Sequence, residues 1–349
     1  MKKYGFGIIG LGFIASMHLK AVESLDNAYF VAGYDNVPNR ANEFCEKWGG
    51  IPYADLDEFL NNDKIDIVTI TTPSGAHLDV ALAAIRKGKH VIIEKPLEVT
   101  VERCNLLIEE AKKYNVLLSG IFQSRFYEVT KIVKNAINKG RFGQLTMANA
   151  VIKWSRTQEY YDSAAWRGTI ALDGGGAFMN QGIHAIDILQ YLMGDVTEVT
   201  AYTDLIAHER IEVEDNGVAI LRFKNGALGV IESSTSVFPG FLKKVEISGT
   251  EGSCVIEEED LIYWNFKHEL PEDEYIRNNF CNNTTSGGGA ADPSTIAFHG
   301  HALNFEDVIL ALECKKELEL PGEEAKKSVE IIEAVYKSSK TKQAVKLPL

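Results

Sequence analysis

The chain is predicted to combine an α/β unit, built on a doubly wound parallel sheet, with an α+β unit whose open, mostly antiparallel sheet is covered by helices on one face. Three observations predict this. A strand, a glycine turn, a helix and a second strand ending in a carboxylate occupy the stretch from Tyr4 to Asp35. Strands and helices then alternate as far as about residue 120. Beyond that point strands follow one another through short turns such as Lys224-Asn225-Gly226, with a single long helix between the first two. The boundary is expected at residues 1–121 against 122–349.

The first stretch carries the most specific signal. Tyr4 to Ile9, short and mostly apolar, runs into Gly10-Leu11-Gly12-Phe13-Ile14-Ala15, a G-x-G-x-x-A pattern that opens a helix from about Phe13 to Leu25. In a dinucleotide site Gly10 allows the tight turn, Gly12 lets a pyrophosphate approach the backbone, and Ala15 lets helix and sheet pack closely. The free N–H groups and dipole of the first helical turn then hold phosphate charge. Tyr29 to Tyr34 forms the next strand, and Asp35 stands at its end, 20 residues beyond Ala15, where a carboxylate accepts hydrogen bonds from ribose hydroxyls. A glycine triplet alone is an ordinary β-to-α turn; the ordered succession makes it a Rossmann fingerprint. A carboxylate at position 35 repels a 2′-phosphate and favours NAD over NADP, whereas Arg40 is a residue that NADP would use.

Composition sets outer limits. The 349 residues suffice for two domains, and 36 basic against 49 acidic residues give a net charge of −13 with no basic cluster. Nucleic acid and anionic membrane surfaces are therefore not expected as partners. Five cysteines without a C-x-x-C pair point to a reducing compartment. Met1-Lys2-Lys3-Tyr4 enters the first strand at once, and no apolar run reaches membrane-spanning length. A soluble cytoplasmic protein is expected.

In chain order, Ala41 to Trp48 and Asp55 to Leu60 read as short helices, and Ile65 to Thr71 as a buried parallel strand bounded by Thr72-Pro73. Helices follow at 77–87 and 101–114, strands at 90–93 and 116–119. The second unit opens with a helix at 127–139 and has strands at 145–153, 196–203, 217–223, 227–235, 243–248 and 253–257, with its long helix at 177–193. The polar, glycine-rich stretch 278–293 reads by default as a flexible connection, and more sharply as a lid or subunit-bridging loop. Two helical patterns close the chain, at about 301–315 and 323–338.

Ligands of open α/β sheets sit beyond the C-terminal strand ends, which singles out three places. Thr71-Thr72-Pro73-Ser74 with His77 offers small residues to the nicotinamide half of a cofactor, with Ser74 also suited to cap the following helix. Glu94-Lys95-Pro96-Leu97 places two charges at the mouth of a buried strand, where they either pair with each other or serve a site. In the third, Gly174-Gly175-Gly176 precede a helix whose spacing stacks Asn180, His184 and Asp187 on one face. His299-Gly300-His301 beside Asp307, read as a turn, lacks a zinc signature, and no metal is expected.

These pieces together resemble the Gfo/Idh/MocA family of NAD(P)-dependent sugar and cyclitol oxidoreductases: the glycine turn with His18, Thr71-Thr72-Pro73 with His77, Glu94-Lys95-Pro96, and the segment from Gly174 to Asp187. The resemblance implies hydride transfer at a secondary ring hydroxyl of a sugar, cyclitol or sugar nucleotide, with Lys95 and His184 at the reacting carbon. It also implies a homodimer or homotetramer built through the open face of the C-terminal sheet. Many members carry aspartate where this chain has Asn180, which takes no proton; members resembling sugar-nucleotide oxidases have asparagine there. His184 is then expected as the base, Lys95 as electrostatic stabiliser, and Asn180 as an orienting group. Cofactor contacts are expected from Gly10, Gly12, Phe13, Ile14, Asp35, Arg40, Thr71, Thr72, Pro73, His77, Glu94, Lys95 and Gln123. Substrate contacts are expected from Lys95, Tyr160, Trp166, Arg167, Asn180 and His184; Tyr160 and its neighbour Tyr161 suit either stacking on a sugar ring or packing. A dinucleotide-binding sensor without turnover and a reductase working from carbonyl to alcohol are the competing functions.

Overall fold

A computed structural model describes residues 2–281, 298–314 and 316–349. The chain divides into two compact units, Met1–Gln123 with Ala297–Lys326, and Ser124–Ile296 with Lys327–Leu349. Linear order does not reveal that the residues after 297 return to the first unit.

The first unit holds β1 (Tyr4–Ile9), α1 (Ala15–Glu23), β2 (Ala28–Tyr34), α2 (Arg40–Trp48), β3 (Ile51–Tyr53), α3 (Leu56–Leu60), β4 (Ile67–Ile70), α4 (His77–Arg86), β5 (His90–Ile93), α5 (Val101–Tyr114) and β6 (Leu118–Gly120). Its strands pair in parallel in the order β3-β2-β1-β4-β5-β6. Strand order reverses between β1 and β4, which places a ligand crevice at the C-terminal end of β1. Both strands are buried along their whole length, so their apolar runs do not alternate. The late helix α10 (His299–Cys314) packs in this unit, where Phe305 stacks on Phe6 at 5.5 Å between ring centroids.

The second unit starts with α6 (Glu128–Asn138), β7 (Leu145–Lys153) and α7 (Gln158–Asp162). A π-helical turn, Ala177–Gly182, then runs into α8 (Ile183–Met193). There follow β8 (Val196–Asp204), β9 (Asn216–Phe223), β10 (Leu228–Ser234), β11 (Lys244–Gly249), β12 (Gly252–Glu257), β13 (Asp260–Phe266) and α9 (Pro271–Phe280). After α11 (Gly322–Thr341) the two-residue β14 (Val345–Lys346) completes an eight-stranded sheet, β13-β12-β11-β7-β10-β9-β8-β14. All its pairs are antiparallel except β7 with β10.

Four departures from the sequence reading have physical causes. β13 escapes a search for strict alternation because its pairing with β12 skips Ile262, after which Trp264 and Phe266 resume the inward face begun by Leu261. α9 was legible and overlooked: Pro271 occupies its first turn and Asp273 caps Leu270 N–H at 2.7 Å. The long helix expected over 177–193 opens with a π turn. His299 and His301 lie in the first turn of α10 rather than in a loop. Of the glycine-rich stretch 278–293, expected as a connection or lid, the part from residue 282 onward lies outside the described residues.

Candidate active site

The glycine turn meets its geometric requirements. Gly10 has φ +87°, where only glycine is unstrained, and a Cβ there would stand 2.7 Å from the Thr72 backbone nitrogen. A Cβ on Gly12 would meet no atom within 4 Å, so the protein leaves open the face toward which a diphosphate would lie. Phe13 beside it is 60% exposed, and Ala15 is fully buried with Ile8, Leu11 and Leu19. The Asp35 carboxylate, itself buried, accepts the N–H groups of Leu11 at 2.7 Å and Val37 at 2.8 Å, with Arg40 at 3.4 Å. It therefore fixes the turn and keeps lone pairs for further donors.

The end of β4 closes on the same turn. Thr71 donates its hydroxyl to the carbonyls of Ile9 and Gly10. Thr72 Oγ1 and Gln123 Oε1 are buried without a hydrogen-bond partner, two polar atoms of the kind a bound ligand satisfies. The open face at Gly12, the orphaned Thr72 and Gln123 atoms and the helix start at Ile14 all fit a dinucleotide. Pro73 precedes the short 3-10 turn that Ser74 begins. The His77 ring, buried and held below its usual pKa by that burial, faces the carbonyls of Pro96 at 3.0 Å and Thr72 at 3.1 Å. It braces the two loops against each other.

Glu94 does not simply pair with Lys95. Its Oε1 accepts from His18 Nε2 at 2.7 Å and lies 3.2 Å from His301 Nε2, while Oε2 accepts the Lys95 N–H at 3.0 Å. Burial acts to raise the Glu94 pKa, but the histidine hydrogen bonds outweigh it and hold the group well below the ordinary value, an anion. Burial also lowers the His18 pKa. In the neutral ring Nε2–H donates to Glu94 and Nδ1 accepts the Thr69 hydroxyl at 2.6 Å. Lys95, followed by a cis peptide to Pro96, thus leaves β5 from an anchored backbone. His18, Glu94 and His301 are also the one group among the described residues whose donor atoms lie close enough to share a metal, within 4.8 Å of one another. Their direct hydrogen bonds already account for the clustering.

In the second unit the glycine triplet is explained by its neighbours. Gly174 has φ +80°; a Cβ on Gly175 would stand 2.1 Å from Tyr336 Oη, and one on Gly176 1.7 Å from the Glu214 carbonyl oxygen. Asn180, half-buried, donates its amide to Asp173 and accepts from Gln181 Nε2 at 3.2 Å. Asp173 in turn accepts the Gly168 N–H at 2.8 Å, tying the loop of Trp166, Arg167 and Gly168 to the helix. The Tyr160 hydroxyl accepts from Gln181 at 3.1 Å, and its ring lies under the Arg167 guanidinium at 4.2 Å. Arg167 also lies 4.7 Å from the Trp166 ring. Tyr161 is packing: buried, its hydroxyl is 2.9 Å from Thr235 Oγ1.

Asp187 is fully buried and forms a double hydrogen bond with Arg125, at 2.9 and 2.7 Å, while Asn180 and His184 are half-buried. Arg156 and Gln181 were missed. Arg156, buried three residues past β7, reaches Gln181 Oε1 at 3.2 Å; the only signal was its place beyond a strand end.

Two family models match the chain: "Oxidoreductase family, NAD-binding Rossmann fold" over residues 4–122 and "GFO/IDH/MocA C-terminal domain" over 130–255. A myo-inositol 2-dehydrogenase of Thermotoga maritima is 32% identical over 251 residues, 70% of this chain and 73% of the relative. A scyllo-inositol 2-dehydrogenase (NAD(+)) of Bacillus subtilis is 29% identical over 71% of this chain and 72% of its own length. Among solved structures, the WlbA dehydrogenase of Bordetella pertussis in complex with NADH and UDP-GlcNAcA is 32% identical, with a TM-score of 0.91 over 100% of this chain and 99% of that one.

Proposed function

The chain belongs to the Gfo/Idh/MocA family of NAD-binding oxidoreductases, and from that premise we propose that it oxidises a secondary ring hydroxyl of a sugar nucleotide. It is an NAD-dependent dehydrogenase. The observation that carries the finer reading is the likeness to the UDP-GlcNAcA-bound dehydrogenase, at 32% identity and a TM-score of 0.91, against 23% and 0.86 for a structure of levoglucosan dehydrogenase. Asn180 in place of aspartate agrees. The 32% identity to an inositol dehydrogenase keeps a free cyclitol or sugar as the second reading.

Bound NAD supplies the hydride acceptor. In the proposed step the substrate C–H bond breaks with its electron pair leaving as hydride, and the hydroxyl oxygen becomes a carbonyl as its proton passes to His184. Lys95 stabilises the negative charge that develops on that oxygen, and Asn180, held by Asp173 and Gln181, orients the helix face that carries His184. Tyr160, Trp166 and Arg167, packed on one another, are proposed to contact the substrate. Retention of Lys95 and His184 speaks against a sensor without turnover.

Assembly as a homodimer or homotetramer through the sheet is also proposed. Tyr202 and Val218 are cross-strand partners, and with Ile220, Leu228 and Met147 they leave apolar side chains exposed on the sheet. No helix among the described residues is long and apolar enough to cross a membrane.

The test is a screen of UDP-hexoses, UDP-uronic acids, inositols and free sugars with NAD and NADP, followed at the reduced-nicotinamide absorbance. Turnover confined to sugar nucleotides is the expected result; turnover on inositols alone replaces the substrate class. Dinucleotide binding with no turnover in either direction supports the sensor.

A further inference from the structure

Three consecutive N–H groups at the start of the helical segment that carries Asn180 and His184 end on a single residue. Gly176 N–H donates to Glu214 Oε2 at 3.0 Å, Phe178 N–H to Glu214 Oε1 at 2.9 Å, and Ala177 N–H to the Glu214 carbonyl at 3.0 Å. The Tyr336 hydroxyl on α11 adds a third donor to the carboxylate at 3.0 Å. The donors to this carboxylate are thus two backbone N–H groups and a hydroxyl, and Glu214 is 9% exposed. A carboxylate in that place does for this helix start what a phosphate does for a nucleotide-binding one: it satisfies the free donors and meets the positive end of the dipole.

We propose that Glu214 is a positioning residue for the dehydrogenation: its buried carboxyl group holds the opening turn from which Asn180 and His184 project, and its ionisation loosens that turn. The inference rests on the proposed role of His184, but the hold on the turn does not.

Burial pushes the Glu214 pKa up to about 7, against the pull of the hydrogen bonds donated to it. The groups facing it do not compete for its proton. Tyr336 is itself raised, by burial and by the charge of Glu214, and stays a donor. Tyr161 on α7 is likewise raised by burial. Asp215 turns its carboxylate to the N–H groups of Ile206, Ala207 and His208 and to the His208 ring, and Asp173 is engaged with Gly168 and Asn180. Because the folded pKa is raised, the stabilising effect of this group is complete below the unfolded value of about 4.3 and is lost as pH rises through about 7. Ionisation therefore costs the closed turn more in desolvation than its hydrogen-bond donors return.

The experiment is amide hydrogen exchange by mass spectrometry on the full chain at about pH 6 and about pH 8, corrected for intrinsic rates, for wild type and Glu214→Gln. In wild type the peptide covering 176–184 is expected, after that correction, to exchange at least about threefold faster at the higher pH, and in Glu214→Gln equally at both. An identical pH dependence in the two proteins, or none in wild type, overturns the proposal whether or not a substrate has been found. With substrate in hand, the kcat profile of Glu214→Gln loses an ionisation near neutrality while KM for NAD is unchanged; a wild-type profile overturns it. Should Glu214→Gln not fold, Tyr336→Phe removes one donor and moves the midpoint upward, and an unmoved midpoint counts against the proposal.

Discussion

The Asp35 carboxylate accepts the Leu11 N–H at 2.7 Å, so the residue at the end of the second strand holds the glycine turn that leaves the first. The acid expected to read a ribose thus also shapes the glycine turn. Asp35→Ala removes the acceptor of two backbone N–H groups and lowers stability by about 1–3 kcal/mol. It also weakens NADH binding about tenfold or more and narrows the preference over NADPH, since Arg40 loses its partner. Parallel fluorescence titrations with the two reduced cofactors measure both effects; an unchanged ratio counts against Asp35 as the discriminating residue.

The two glycines of the turn separate folding from binding. Gly10→Ala forces a side chain into φ +87° against the Thr72 backbone and is expected to cost about 1–3 kcal/mol. Gly12→Ala meets no protein atom, so the melting temperature stays within about 1 °C while NADH affinity falls at least about tenfold. Calorimetry of both variants, with and without NADH, distinguishes the two cases.

Acid should weaken the first unit. The His18 pKa is lowered by burial, so stability from keeping its ring neutral is present above the unfolded value of about 6.5 and is lost as pH falls toward the folded value. Glu94, held well below its ordinary pKa, adds a second loss below about 4.3. In His18→Gln the decline between about pH 6.5 and pH 5 becomes shallower. Chemical denaturation across that interval reads the slope, and an unaltered slope rules His18 out as its source.

Lys95→Ala and His184→Ala are each expected to lower turnover about a hundredfold or more, with NADH binding largely kept. The kcat of His184→Ala should also lose the dependence on pH that a base with a near-neutral pKa imposes. Near-normal turnover in both variants removes these roles.

The local chemistry of the chain determined a good deal. Glycine spacing, β-branched runs and the alternation of strand and helix depend on neighbours within a few residues, and they located the dinucleotide turn, Asp35 and the change of architecture near residue 120. Periodicity also proposed a face shared by Asn180, His184 and Asp187, but not the π turn that opens the helix or the Arg125 side chain that takes up Asp187. Only the tertiary structure decided the partners of the buried charges. Glu94 is met by His18 and His301, 76 and 207 residues away, and Gly175 and Gly176, before the π turn, are required by Tyr336 and Glu214. A buried charge or a missing side chain is satisfied by whatever the fold brings within about 3 Å, and that distance bears no relation to separation along the chain.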